Sequence, residues 1–203
     1  REDQIPAKVQ KPMNGAMAFS KTGHGFPFSF YAKTETVFWP GCGLAANRPG
    51  LIRKLKGILS KQLHQKVGLV LDCCYDPVFG LGDTRTTFAA LKEINKRLYD
   101  SGVKKIITGC LNCHKLLSEH LQGMKVVFVL EVLPLEVFQK QSNESIYLHH
   151  PCPASRWEKI PDAARILVDH INSSGAYSEN YLKSANSIVE TSESLCCGLG
   201  GGL

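Results

Sequence analysis

The chain has 203 residues, enough for one ordinary domain or two small α/β units, and its hydrophobic share of 43% is normal for a core-forming protein. No apolar run reaches the length of a membrane span, and no charged-then-apolar secretory leader opens the sequence, which starts at Arg1. The net charge of +6 is modest and no basic run is interleaved with aromatics, so nucleic acid is not an expected partner. Lysines on helix-like stretches such as Arg53-Lys54-Leu55-Lys56 read as a solvated face, with a docking face for an acidic partner as the other reading.

Residues 1–35 carry Pro6, Pro12, Gly15, Gly23, Gly25 and Pro27 with little periodicity and read as an arm or linker. Val37-Phe38-Trp39 is a short apolar strand stopped by Pro40-Gly41, and Cys42 follows. Helical spacing over 49–63 puts Leu51, Ile52, Leu55, Ile58, Leu59 and Leu63 on one side, with Pro49 suited to the first turn. Val67–Leu71 reads as a buried strand ending near Cys73-Cys74. Asp83 or Thr84 can cap a helix to about Ser101 with Phe88, Leu91, Ile94 and Leu98 as its core face. Lys104–Thr108 is a third strand, Cys110–Leu121 a helix, Val126–Leu130 a fourth strand, and 131–141 a further helix.

Alternating strands and helices at this spacing predict an α/β fold with Rossmann-like parallel sheets. In such folds ligands sit at the carboxyl ends of the strands, which is where Cys42, Cys73-Cys74 and Cys110 fall. Eight cysteines also fit a disulfide framework, but a core of this size needs no staples and disulfides do not explain thiols gathered at strand ends. The remainder reads as a partial repeat. A strand at Ile146–His149 runs into Pro151-Cys152, a helix covers 156–172, and Ser187–Val189 leads to Cys196-Cys197 and the run Gly198–Gly202. No second C-x-x-C follows. The expected organisation is therefore an arm at 1–35, a complete cysteine-rich unit at 36–143 and an incomplete one at 144–203.

The first unit reads C-x30-CC-x35-C-x2-C, from Cys42, Cys73, Cys74, Cys110 and Cys113. With Pro40-Gly41-Cys42, Thr108-Gly109-Cys110-Leu111-Asn112-Cys113, His149-His150-Pro151-Cys152 and Cys196-Cys197-Gly198, the chain resembles the cysteine-rich CCG domain family of the heterodisulfide reductases. The resemblance implies tandem CCG repeats and an iron–sulfur oxidoreductase subunit. It makes Cys42, Cys73, Cys74, Cys110 and Cys113 ligands of a [4Fe–4S] cluster, noncubane or cubane, and Cys152, Cys196 and Cys197 a partial second set. It further implies ferredoxin-type or flavoprotein redox partners, a quinone, protein or disulfide acceptor, and a cytoplasmic place, at the inner face of a membrane where a partner holds it there. Tyr75 stands where the family often has Gly, and His150 and Pro153 flank Cys152 where Asp and His are usual.

Other readings of the same residues stay open. A four-cysteine zinc site in a binding or assembly module leaves one of five thiols over. A thiol–disulfide oxidoreductase using Cys110 and Cys113 leaves Cys73-Cys74 unexplained. The run Cys110-Leu111-Asn112-Cys113-His114 also fits a c-type haem attachment motif, which leaves Cys42 idle as well. His114 reads better as a helix residue or a donor to a sulfur. His149-His150 reads as a polar strand end, Gly198–Gly202 as a tight turn, and Trp39 and Trp157 as packing residues.

Overall fold

The structure is a computed structural model that describes residues 34–80, 82–138 and 159–173. The expected arm at 1–35 lies almost wholly outside them, as do Cys152, Cys196, Cys197, His149-His150, Trp157, the glycine run and the strands expected at Ile146–His149 and Ser187–Val189. The chain divides into two compact units at Val129 and Leu130. Among the described residues no helix is long and apolar enough to cross a membrane.

The first unit is an α/β layer structure. Four parallel strands, β1 (Thr36–Trp39), β2 (Val67–Leu69), β3 (Lys105–Thr108) and β4 (Lys125–Phe128), pair in the order β2-β1-β3-β4. The central β1 is buried along its whole length, with Val37, Phe38 and Trp39 fully excluded from solvent. A strand paired on both edges and covered on both faces demands a continuous apolar run rather than an alternating one. Register aligns Trp39 with Thr108 and Thr108 with Phe128, so these strands end level with one another. Backbone bonds continue the ladder one residue further, from Gly109 N–H to Trp39 O at 2.8 Å and from Val70 N–H to Phe38 O at 2.9 Å.

Helices fill the crossovers, as parallel pairing requires. α1 (Cys42–Asn47) and α2 (Pro49–Gln62) join β1 to β2; α3 (Asp76–Gly80) and α4 (Thr84–Asp100) join β2 to β3; α5 (Leu111–His120) joins β3 to β4. Pro49 opens α2, where its missing N–H costs no helical bond. Asp83 is the cap of α4, its carboxylate accepting from Thr86 N–H at 3.0 Å. The core gathers Val37, Trp39, Val70, Leu91, Ile94, Leu98, Ile106, Leu116 and Leu117 around the two buried thiols Cys74 and Cys113.

Some expectations need correction. The buried face of α4 is Thr87, Leu91, Ile94 and Leu98. Phe88 lies one residue off it, 45% exposed, with its ring 5.9 Å from Phe79 and 5.1 Å edge-on from His120. In α2 only Ile52 and Leu59, two turns apart, are buried; Leu51 is turned about 100° away and is 42% exposed. Residues 131–138 do not continue as the expected helix. Two 3-10 turns, Val129–Glu131 and Leu135–Val137, flank Pro134, whose extended backbone and absent N–H interrupt the ladder. The short helices α1 and α3 had no sequence signal because each is too short to show a period.

In the second unit the helix expected at 156–172 is α6, Lys159–Ser173, with Val168 buried and Ile166 exposed.

Candidate metal centre

In a sheet ordered β2-β1-β3-β4 the crossovers leave in opposite directions from β1 and β3, and the crevice between their carboxyl ends is the natural ligand position. Two glycines close that crevice to thiol distance. Gly41, with φ +84°, follows Pro40, and a Cβ there would stand 2.5 Å from Cys110 Cβ, so no other residue fits without displacing the backbone. The same point lies 3.5 Å from Cys110 Sγ and 3.6 Å from Cys113 Sγ. A Cβ on Gly109 would stand 2.9 Å from Pro40 O. The Pro-Gly-Cys turn after β1 is thereby packed on the Gly-Cys turn after β3.

The turn after β2 brings the third set of sulfurs. Cys73 and Cys74 are both buried, and Cys113 Sγ donates to Cys74 Sγ at 3.2 Å. Cys73 Sγ accepts from Tyr75 N–H at 3.3 Å. The turn is made by Tyr75 in the left-handed region, φ +67°. That is the conformation glycine adopts freely, so a tyrosine holds it at a local cost. Cys42, half-buried, opens α1; Cys110, half-buried, precedes the first turn of α5.

The thiols are electrostatically one group. Cys113 donates to its neighbours, and those hydrogen bonds, with burial, hold its own proton far above the usual thiol range. The bond from Cys113 holds Cys74 well below that range, helped by Cys73. It also lowers Cys110 to about 7, aided by the amides of Cys113 and Asn112 at the helix start. Burial, then the negative charge of Cys110 and Cys74, pushes Cys42 up. Burial and the charge on Cys74 likewise raise the Asp76 carboxyl, with Lys115 opposing.

Cys74, Cys110 and Cys113 thus meet directly, Cys73 joins through Cys74, and Cys42 lies within their field. Yet among the described residues no three Cys, His, Asp or Glu side chains are spread in a metal-holding arrangement. Sulfurs around a tetrahedral ion with bonds near 2.3 Å sit about 3.8 Å apart, against 3.2 Å between Cys74 and Cys113 here. The chemistry of the donor set suits a thiophilic centre, since four soft, partly ionised sulfurs face one crevice. Trp39 Nε1–H, fully buried in the core cluster shared with Cys74 and Cys113, has no acceptor among the described residues. An unpartnered indole donor in the same core cluster as two ionisable thiols is compatible with such a centre.

A buried hydrogen-bond chain fixes the C-x-x-C turn to the sheet. Thr108 Oγ1 donates to Val127 O at 3.1 Å and pairs with His114 Nδ1 at 3.1 Å. The carbonyl can only accept, so the single hydroxyl hydrogen points to Val127 and His114 Nδ1–H is the donor to Thr108. The His114 ring also packs edge-on against Phe128 at 6.0 Å. The sequence placed Thr108 at the end of a strand and at the start of the C-x-x-C motif without a role for its hydroxyl; the signal was a lone hydroxyl closing an apolar strand.

These features define an α/β protein with a thiol-lined site at the switch point of a parallel sheet. Residues 36–118 match the sequence model of the cysteine-rich domain family CCG. The match contains all five cysteines of the first set and points to metal or iron–sulfur binding. No curated protein and no solved structure gave a match.

Proposed function

We propose that the chain is an iron–sulfur redox subunit. Cys42, Cys73, Cys74, Cys110 and Cys113 would hold a [4Fe–4S] cluster of the noncubane kind, with Cys152, Cys196 and Cys197 belonging to a second set in a repeat that covers 144–203. The observation that carries this reading is the contact between Cys113 Sγ and Cys74 Sγ at 3.2 Å, with Cys110 beside them at the switch point. Neither a lone thiol pair nor a buried structural cysteine needs a third and fourth sulfur there.

When bound, such a cluster takes up and releases single electrons. The residues of the chain supply the rest. Gly41 lets the β1 and β3 turns close, Cys73 and Cys74 offer neighbouring sulfurs from one turn, and the proton shared by Cys113 leaves when the sulfurs ligate. The half-buried position of Cys42 and Cys110 leaves one side of the site toward solvent for exchange with a ferredoxin-type or flavoprotein donor. The acceptor is a quinone, a protein or a disulfide.

The lowered proton affinity of Cys110 beside Cys113 favours a second reading, thiol–disulfide exchange by that pair. Anaerobic purification separates the readings. Brown protein with iron and acid-labile sulfide in equal amounts, lost in Cys74→Ser, supports the cluster. Colourless protein with one zinc overturns it in favour of a structural module. Metal-free protein that cycles a Cys110–Cys113 disulfide and is indifferent to Cys74→Ser supports exchange.

A further inference from the structure

The charge of the first unit is placed on one stretch. Residues 36–71 contain Arg48, Arg53, Lys54, Lys56, Lys61 and Lys66 and no acidic residue, whereas residues 72–129 hold eight basic side chains against six acidic ones. Most of the excess of the described sheet unit therefore sits on and around α2. Its buried edge is Ile52 and Leu59. At about 100° per residue, Lys54 and Lys61 fall on the opposite face and Arg53 on its flank, and all three are exposed, as is Arg48 just before the helix. Among the described residues none of these cations has an ion pair, while Lys96, Arg97 and Lys104 elsewhere are each matched, to Asp100, Asp72 and Glu35. Gly50 and Gly57 share the outer face, and a Cβ on either would meet nothing within 4 Å, so no side chain covers the helix there.

The position of this face ties it to the thiols. β1 delivers the chain to the carboxyl edge of the sheet at Cys42, and α2 must run back along the sheet to start the parallel β2. Its first two turns, with Arg48, Arg53 and Lys54, therefore flank the edge that holds the half-buried Cys42. Lys61, seven residues beyond Lys54, continues the positive face about 10 Å down the helix.

We propose that the outer face of α2, from Arg48 to Lys61, is the docking surface for an acidic protein that exchanges electrons at the Cys42 side of the site, an inference that rests on the redox reading above. Unmatched cations spaced within a Debye length steer an acidic partner and orient it, contributing more to encounter than to final affinity. A membrane surface fits less well, because the face with Lys54 and Lys61 carries Gly50 and Gly57 in place of large apolar side chains that could enter lipid. Nucleic acid fits less well, because no aromatic side chain stands on this face to stack a base.

The test uses the full chain as purified anaerobically and an acidic [2Fe–2S] ferredoxin as probe. Binding is titrated calorimetrically at about 10 mM and about 150 mM salt, conditions that shorten the Debye length from about 30 Å to about 8 Å. Two variants remove equal charge: Arg48→Gln/Arg53→Gln/Lys54→Gln/Lys61→Gln on α2, and Lys92→Gln/Lys96→Gln/Lys104→Gln/Lys125→Gln elsewhere. The expected result is ferredoxin binding that weakens about tenfold or more with salt, is lost about tenfold in the α2 variant at low salt, and survives in the other. Absence of salt-dependent binding, or equal loss in both variants, overturns the proposal. So does an α2-dependent preference for phosphatidylserine vesicles or duplex DNA over the ferredoxin. Iron and sulfide measured on the same samples keep the two claims apart. Iron-free protein that still binds through α2 sinks the cluster and keeps the docking face, and iron-loaded protein indifferent to α2 does the reverse.

Discussion

Cys113 and Cys74 stand 39 positions apart in sequence and 3.2 Å apart at their sulfurs, both buried, with the proton of Cys113 directed to Cys74. One thiol comes from the helix after β3 and the other from the turn after β2, two strands separated in the sheet by β1. The contact crosses beneath the Pro40-Gly41-Cys42 turn, so all three loops share one small volume.

Gly41→Ala is expected to destabilise the fold by about 2–3 kcal/mol, combining left-handed backbone strain with overpacking. The added methyl stands 2.5 Å from Cys110 Cβ, and backbone rather than a flexible side-chain tip must yield. Urea denaturation of the metal-free protein reads the cost. A midpoint unchanged from the parent would mean that the β1 and β3 turns are not packed as described.

At position 75 the usual helix-and-strand order of alanine above glycine should reverse. Tyr75 has φ +67°, so Tyr75→Gly relieves strain while losing packing, whereas Tyr75→Ala loses packing and keeps the strain. Glycine is expected to be the more stable of the two by about 1 kcal/mol. Comparing thermal midpoints of the two variants is sufficient, and alanine at or above glycine contradicts the left-handed turn.

Thr108→Val removes the hydroxyl that serves both Val127 O and His114 Nδ1, and should cost about 1–3 kcal/mol, with Thr108→Ser recovering most of it. Nitrogen-15 NMR gives a readout that simple packing loss would not move. His114 should be an Nδ1–H tautomer in the parent and in Thr108→Ser, and lose that fixed state in Thr108→Val.

In metal-free protein, Cys110 is the accessible thiol expected to alkylate at the lowest pH, because Cys74, also held low, is buried away from the reagent. The proton affinity of Cys110 is depressed to about 7 by the hydrogen bond from Cys113, so the thiolate fraction rises through pH 7 instead of the region near 8.5 typical of a free thiol. Iodoacetamide labelling followed by peptide mass spectrometry should therefore show a midpoint near neutrality. Cys113→Ala removes the donor and should move that midpoint upward; a midpoint that stays put would remove Cys113 as the cause.

Much of the fold was legible from local pattern. The apolar run Val37–Trp39, the period of Leu91, Ile94 and Leu98, Pro49 at a helix start and Asp83 at another cap each act within a few residues, and each forms as its chemistry predicts. Phe88 and Leu51 were misplaced because helical period fixes a face only to within about one residue, and neighbouring elements choose which edge is covered.

The sequence by itself determined which thiols lie at strand ends, and hence which edge of the sheet holds the site, because strand length and turn residues are local properties. Only the tertiary structure decided which sulfurs touch. That depends on the strand order β2-β1-β3-β4, on two glycines letting main chains meet, and on a proton shared between Cys113 and its neighbours. Contacts across the sheet depend on distances between segments that no local pattern encodes, and a shared proton exists only once its two acceptors have been brought within reach of one donor.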